Sequence, residues 1–135
     1  MNSTPEIYIA EDDDDDALIF QEVFKICYPD SRITVYPNGE QLLKAVFDSQ
    51  TPPAYIFLDI NMPLLNGLET LVYLKANRQT AHIPTFMFSG TDCPKNIRQS
   101  YQLGASSYFT KPEKYSEIIT MAETFKAYWN YVIKL

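Results

Sequence analysis

Apolar residues along the chain follow two alternating patterns. Short apolar runs closed by polar or proline-containing turns are typical of strands, and the run at 55–58 is apolar or aromatic throughout, as in a strand buried on both faces. Between the runs, apolar residues recur every three or four positions, which predicts helices with one buried face. The predicted strands cover residues 7–10, 32–36, 55–59, 84–88 and 107–110.

A predicted helix follows each of the five strands. Asn38-Gly39 is also a hairpin signal, but helical spacing starts at Leu42, so we interpret Asn38 as a helix cap. Regular strand–helix alternation with short connections predicts a parallel sheet between layers of helices, joined by right-handed crossovers. The residues that carry the helical spacing are Ala17, Phe20, Val23, Phe24 and Cys27; Leu42, Leu43, Val46 and Phe47; Leu68, Leu71, Val72 and Lys75; Ile97, Tyr101 and Leu103; and Ile118, Ala122, Phe125, Trp129 and Val132.

Polar side chains stand where four of the predicted strands end. In chain order they are Glu11 and Asp12, Asp59, Ser89, and Lys111. Because the carboxyl ends of parallel strands meet at one edge of a sheet, these side chains are expected to converge there. Taken alone, Asp59 is equally consistent with a solvated acid in a loop.

Composition narrows the class of protein. The chain has 135 residues, 46% of them hydrophobic, as expected of one compact domain. A net charge of −6 disfavours direct nucleic-acid binding. No apolar run approaches the roughly 20 residues that span a bilayer, and the N-terminus lacks a signal-peptide pattern, so we expect no membrane insertion and a cytoplasmic location. Cys27, Cys93 and the single histidine, His82, form no metal-type spacing.

Six consecutive acids begin at Glu11 and end at Asp16. Carboxylates at a helix N-terminus cap free N–H groups and oppose the positive end of the helix dipole, which explains two or three of them. Adjacent like charges repel, so a cation is the expected partner for part of the run. For residues 13–16 we favour a solvated helix end.

Three carboxylates, a hydroxyl and an ammonium at one edge indicate phosphoryl chemistry. Clustered carboxylates raise one another's pKa unless a cation compensates them, and Mg²⁺ takes oxygen ligands while keeping waters that a phosphoryl group can replace. Lys111 offers a point charge suited to a phosphate oxygen, and Ser89 offers a hydroxyl. The chain has no cluster of histidine or cysteine bases and no glycine-rich phosphate loop, so the set favours attack on phosphorus by Asp59 itself.

These residues resemble the receiver domains of two-component response regulators, over essentially the whole chain. The order and spacing match the family, with 30 positions from Asp59 to Ser89 and 22 from Ser89 to Lys111. The resemblance implies a CheY-like α/β fold: a flavodoxin-like (βα)5 three-layer sandwich whose parallel five-stranded sheet has the order 2-1-3-4-5. The matching positions are Glu11-Asp12, Leu58-Asp59, Met62-Pro63, Gly67, Ser89-Gly90, Tyr108 and Lys111-Pro112.

The resemblance implies that Asp59 is the phosphoacceptor. It would take a phosphoryl group from a sensor histidine kinase or a histidine phosphotransfer protein, in a reaction that depends on Mg²⁺ or Mn²⁺. Glu11 stands where the family most often has Asp, and it keeps the required oxygen. The implied metal ligands are Glu11, Asp12, Asp59 and the backbone carbonyl of Asn61.

The resemblance also implies a conformational switch. Ser89, which replaces the more common Thr, would move to the phosphoryl group, and Tyr108 would turn inward behind it. Lys111 would neutralise charge on the phosphoryl group. The peptide bond before Pro112 is usually cis in this family.

Such a protein is a signalling domain rather than an enzyme with a separate substrate, although it catalyses its own phosphorylation and dephosphorylation. Residues 1–135 are expected to form one receiver domain with no output domain. The signal is then expected to reach a downstream protein through the surface of the fourth helix, fifth strand and fifth helix. Tyr101, Tyr108 and the end of the last helix are hypothesised to contribute, since exposed aromatic residues are favoured at interfaces.

Three other functions fit parts of the pattern. A hydrolase of the haloacid dehalogenase type also uses an aspartyl nucleophile, but such enzymes generally have an Asp two residues later as acid/base, where this chain has Asn61. A flavin-binding domain of similar fold conflicts with the acidic segment after the first strand, which would repel a cofactor phosphate. A degenerate receiver that only binds a protein does not require the retained acids, hydroxyl and lysine.

Overall fold

A computed structural model of the chain describes residues 6–132. Its strands are β1 (Glu6–Ala10), β2 (Arg32–Tyr36), β3 (Tyr55–Asp59), β4 (Thr85–Ser89) and β5 (Ser107–Thr110). Its helices are α1 (Asp14–Cys27), α2 (Gly39–Asp48), α3 (Gly67–Ala76), α4 (Pro94–Gln102) and α5 (Tyr115–Trp129). The strands form one parallel sheet in the order β2-β1-β3-β4-β5, which confirms the expected fold and strand order.

The expected single domain over residues 1–135 includes residues 1–5 and 133–135, which lie outside the described residues. Between residues 6 and 132, no helix is both long enough and apolar enough to cross a membrane.

Two apolar clusters cover the two faces of the sheet. In β1, Ile7 and Ile9 belong to the cluster beneath α1 and α5, whereas Tyr8 and Ala10 belong to the cluster beneath α2 and α3. Successive side chains of a strand point to opposite faces, so a strand covered by helices on both sides needs apolar residues at every position. This requirement explains the continuous apolar runs in the sequence.

Side-chain caps set where three of the helices begin. Asn38 caps α2 by accepting a hydrogen bond from a backbone N–H of the first turn, which confirms the cap interpretation over a hairpin. Asn66 caps α3 in a reciprocal capping box. Asp13 caps α1 by accepting from the backbone N–H of Asp16 at 2.9 Å. The cap at Asp13 therefore fixes the first turn of α1 next to the end of β1.

The helical spacing identified the helices but not every buried residue. Phe47, Val72 and Tyr101 are 38%, 45% and 51% exposed, whereas Leu74 is fully buried. Apolar residues surround much of α3, so the sequence pattern did not show which side faces the sheet. The helix α5 ends before Val132, which is half-buried beyond the helix.

Candidate active site

The carboxyl ends of four strands bring the predicted polar residues together. Glu11 directly follows β1, Asp59 and Ser89 are the last residues of β3 and β4, and Lys111 directly follows β5. The parallel register pairs Asp59 with Phe88 and Ser89 with Thr110, so the strand ends lie side by side at one edge. Glu11, Asp59 and Ser89 are buried there, while Asp12 is exposed at the rim.

Lys111 is the centre of this cluster. Its Nζ atom is 2.5 Å from Glu11 Oε1, 3.0 Å from Asp16 Oδ2 and 3.4 Å from Asp59 Oδ2. An ammonium has three N–H donors, and three carboxylates surround this one, with Asp59 the most distant. Burial alone lowers the pKa of the Lys111 ammonium, but the hydrogen bond to Glu11 and the charge of Asp59 outweigh burial and raise it above its usual value. Lys111 therefore stays positively charged beside Asp59.

Glu11 shares the buried pocket with Asp59. Burial, followed by hydrogen bonding to Asp59, raises the pKa of Glu11 above its usual value, although Lys111 acts in the opposite direction. The second carboxylate oxygen of Glu11 accepts a hydrogen bond from the backbone N–H of Asp13 at 3.3 Å. The Lys111 ammonium thus supplies one positive charge to two neighbouring buried carboxyl groups. A second cation would balance the remaining negative charge.

Residues after β3 fix the position of Asp59. Asp59 Oδ1 accepts a hydrogen bond from the backbone N–H of Asn61 at 3.1 Å, while Oδ2 faces Lys111. The N–H of Gly67 donates to the Ile60 carbonyl at 3.0 Å. A Cβ atom at Gly67 would lie 2.2 Å from the backbone oxygen of Asp59, so only glycine allows this approach. The start of α3 therefore packs directly on the main chain of Asp59.

The donor set fits a hard divalent cation. Carboxylate oxygens of Glu11, Asp12 and Asp59 all lie within 4.8 Å of one another. Mg²⁺ and Mn²⁺ prefer oxygen ligands of this kind. The buried and undercompensated pair of Glu11 and Asp59 gives the site a physical reason to bind such an ion.

Ser89 and Tyr108 meet at the loop that joins β4 to α4. The Ser89 hydroxyl accepts a hydrogen bond from the backbone N–H of Thr91 at 3.3 Å, and the Tyr108 hydroxyl donates to the Thr91 carbonyl at 3.2 Å. Partial burial raises the pKa of Tyr108, and hydrogen bonding to Ser89 opposes the rise. The hydroxyl of Tyr101 accepts from the backbone N–H of Tyr108 at 3.1 Å. The two candidate switch residues thus contact the same short loop.

One feature implied by the resemblance is not found. The peptide bond between Lys111 and Pro112 is trans, as are all peptide bonds in the described part of the chain. The trans form is the favoured state of a bond before proline, by about 0.5–1 kcal/mol.

Asp16 was missed by the sequence analysis. We expected residues 13–16 to form a solvated helix end, and Asp13 does act as a cap, but Asp16 forms an ion pair with Lys111. The segment has more acids than helix capping needs, and this excess predicted that a cation contacts some of them. The sequence did not show which acid that cation would contact.

The chain is similar to known proteins over most of its length. A family model described as "Response regulator receiver domain" matches residues 7–123. Response regulator Rcp1 of Synechocystis sp. is 24% identical over 128 residues, which cover 91% of this chain and 87% of that protein. A crystal structure of the Mn(2+)-bound form of Rcp1 has a TM-score of 0.83 at 25% identity, covering 97% of this chain and 98% of that chain. Response regulator RPA3017, in red light signalling of R. palustris, has a TM-score of 0.85 at 26% identity and 97% coverage of both chains.

Proposed function

The chain belongs to the response regulator receiver domain family, and on that premise we propose that Asp59 accepts a phosphoryl group from a phosphohistidine. The donor is a sensor histidine kinase or a histidine phosphotransfer protein. The reaction depends on a divalent metal ion, and it switches a protein-interaction surface. Receiver domains are signalling modules, so the only chemistry assigned to this chain is its own phosphorylation and dephosphorylation.

The environment of Asp59 carries the proposal. Asp59 is 5% exposed, its Oδ1 accepts a hydrogen bond from the Asn61 N–H, and its Oδ2 faces the Lys111 ammonium. A buried carboxylate held by one backbone donor and one cation is oriented for attack and does not need a separate base. The residue two positions after Asp59 is an amide, Asn61, which gives no support to the acid/base pair of a dehalogenase-type hydrolase.

In the proposed step, an Asp59 carboxylate oxygen attacks phosphorus and forms an O–P bond. The P–N bond to the donor imidazole breaks, and its electron pair stays on the imidazole nitrogen. Lys111 then neutralises negative charge on the phosphoryl oxygens, which is the electrostatic stabilisation that phosphoryl transfer requires. Hydrolysis of the acyl phosphate by water returns free Asp59 and phosphate.

A bound divalent metal ion would supply positive charge that stabilises the negative charge of the phosphoryl group. The residues proposed to hold it provide only oxygen atoms: Glu11, Asp12, Asp59 and the backbone carbonyl of Asn61.

The proposed switch begins at Ser89. Its hydroxyl leaves the Thr91 N–H, which is 3.3 Å away, and donates a hydrogen bond to the phosphoryl group. Because Tyr108 bonds the Thr91 carbonyl at 3.2 Å, a shift of this loop releases the Tyr108 ring to turn inward. The loop between β4 and α4 thus connects the phosphoryl group to the protein-interaction surface.

The proposed output surface comprises α4, β5 and α5. Tyr101 is 51% exposed, Tyr128 in the last turn of α5 is 52% exposed, and Tyr131 just after the helix is 89% exposed. Exposed tyrosines are enriched at protein interfaces. The Tyr101 hydroxyl also accepts a hydrogen bond from the Tyr108 backbone N–H, so a shift of the β5 main chain that accompanies the turn of the ring would move Tyr101 as well.

The proposal is tested with acetyl phosphate and Mg²⁺. We expect the wild type to gain the mass of one phosphoryl group, and we expect Asp59→Asn to gain none because the nucleophilic oxygen is lost. The control is Asp48→Asn, which removes the same charge from an exposed position at the end of α2. Since RPA3017 is a response regulator in red light signalling, a red-light sensor kinase is the first protein donor to test. Labelling that persists in Asp59→Asn would disprove the assignment of the nucleophile.

A further inference from the structure

Asp16 reaches the site from a helix rather than from a strand end. Its backbone N–H donates to the Asp13 carboxylate at 2.9 Å, so the cap of α1 holds its main chain in place. Its own Oδ2 atom is 3.0 Å from Lys111 Nζ. The two residues are 95 positions apart in sequence, and the contact joins α1 to the loop after β5.

The three contacts of Lys111 differ in length. The ammonium is 2.5 Å from Glu11 and 3.0 Å from Asp16, but 3.4 Å from Asp59. A separation of 3.4 Å is beyond the usual range for an N–H···O hydrogen bond. The ammonium therefore lies nearer to the other two carboxylates than to the proposed phosphoacceptor.

Three carboxylates surround the Lys111 ammonium within 3.4 Å. When the ammonium moves toward a phosphoryl group on Asp59, its contact with Glu11 or with Asp16 lengthens. The Glu11 side chain is fully buried, so losing its partner would leave a buried carboxyl group uncompensated. The Asp16 side chain is 38% exposed, and water can solvate it after separation. Asp16 is therefore the partner that Lys111 releases at lower cost.

We infer that Asp16 is a positioning residue that holds the Lys111 ammonium back from Asp59 and weakens the phosphorylated state. The inference rests on the proposed function, because it assigns Lys111 to the phosphoryl group. Two effects act in the same direction: Asp16 competes for the ammonium, and its negative charge repels the phosphoryl oxygens. Removing the charge of Asp16 should therefore tighten binding of a phosphoryl analogue.

The test measures the affinity for beryllofluoride in the presence of saturating Mg²⁺ by titration calorimetry. We expect Asp16→Asn to bind about three- to fivefold more tightly than the wild type, the size expected for a partly exposed ion pair. Asp16→Glu keeps the charge and should bind like the wild type. The matched control is Asp15→Asn, since Asp15 is exposed on the same turn and the ion pairs of the described residues do not include it.

A second measurement needs neither metal nor analogue. The NMR signal of the Lys111 ammonium should shift in Asp16→Asn and stay in place in Asp15→Asn, because only the first variant changes what the ammonium contacts. The inference is overturned if Asp16→Asn and Asp15→Asn have equal affinities, if Asp16→Asn binds more weakly than the wild type, or if the ammonium signal does not move. Different outcomes would refute the proposed function itself: the wild type does not bind beryllofluoride, or Asp59→Asn binds it as tightly as the wild type.

Discussion

Replacing Gly67 by alanine tests whether the start of α3 must pack on the main chain of Asp59. A Cβ atom at this position would lie 2.2 Å from the Asp59 backbone oxygen, 2.9 Å from its carbonyl carbon and 3.0 Å from Ile60 Cα. All three are main-chain atoms of β3 and the residue after it, so no flexible side chain can move aside. The helix and the strand end must separate instead.

The magnitude follows from two opposing effects. Relieving a 2.2 Å contact requires a main-chain shift of about 1 Å, and overpacking of this kind costs about 1–3 kcal/mol. Alanine is favoured over glycine in a helix by about 0.5–1 kcal/mol, which offsets part of the cost. We expect a net loss of about 1–2 kcal/mol in the free energy of unfolding. With a slope of about 2 kcal/mol per M, the urea midpoint should fall by about 0.5–1 M.

The assay is equilibrium urea unfolding, followed by the fluorescence of the single tryptophan, Trp129, and by far-UV circular dichroism. Gly90→Ala is the matched control, because a Cβ atom there has no neighbour within 4 Å. We expect its stability to stay within about 0.5 kcal/mol of the wild type. If Gly67→Ala is as stable as Gly90→Ala, the conclusion that α3 must pack closely on the main chain of Asp59 is wrong.

Two further predictions concern charge and pH. Lys111→Ala should still accept a phosphoryl group from acetyl phosphate. The phosphorylation-induced changes in its amide NMR spectrum should be smaller than in the wild type, because the contact from the phosphoryl group to the loop after β5 is lost. Changes as large as those of the wild type would contradict this role of Lys111. Burial raises the pKa of Tyr28 from 10.0 to about 12, so its contribution to stability is complete below about pH 10 and is lost as pH rises through about 12. Urea midpoints of Tyr28→Phe should therefore fall less steeply above about pH 10 than those of the wild type, and identical slopes would refute the assignment.

The sequence alone determined the features that depend on neighbouring residues. The apolar run of β3 predicted a strand covered on both faces, and Asn38 predicted a helix start, because side-chain burial and capping act within a few residues. The strand-end positions of Asp59, Ser89 and Lys111 predicted their convergence, since all parallel strands leave the sheet at the same edge.

Only the tertiary structure decided features that depend on distances between segments far apart in the chain. It showed that Leu74 rather than Val72 faces the sheet, and that Gly67 packs on the main chain of Asp59. It also paired Asp16 with Lys111 across 95 positions. No local pattern encodes these contacts, because they arise when packing fixes where one helix sits against strands formed elsewhere in the chain.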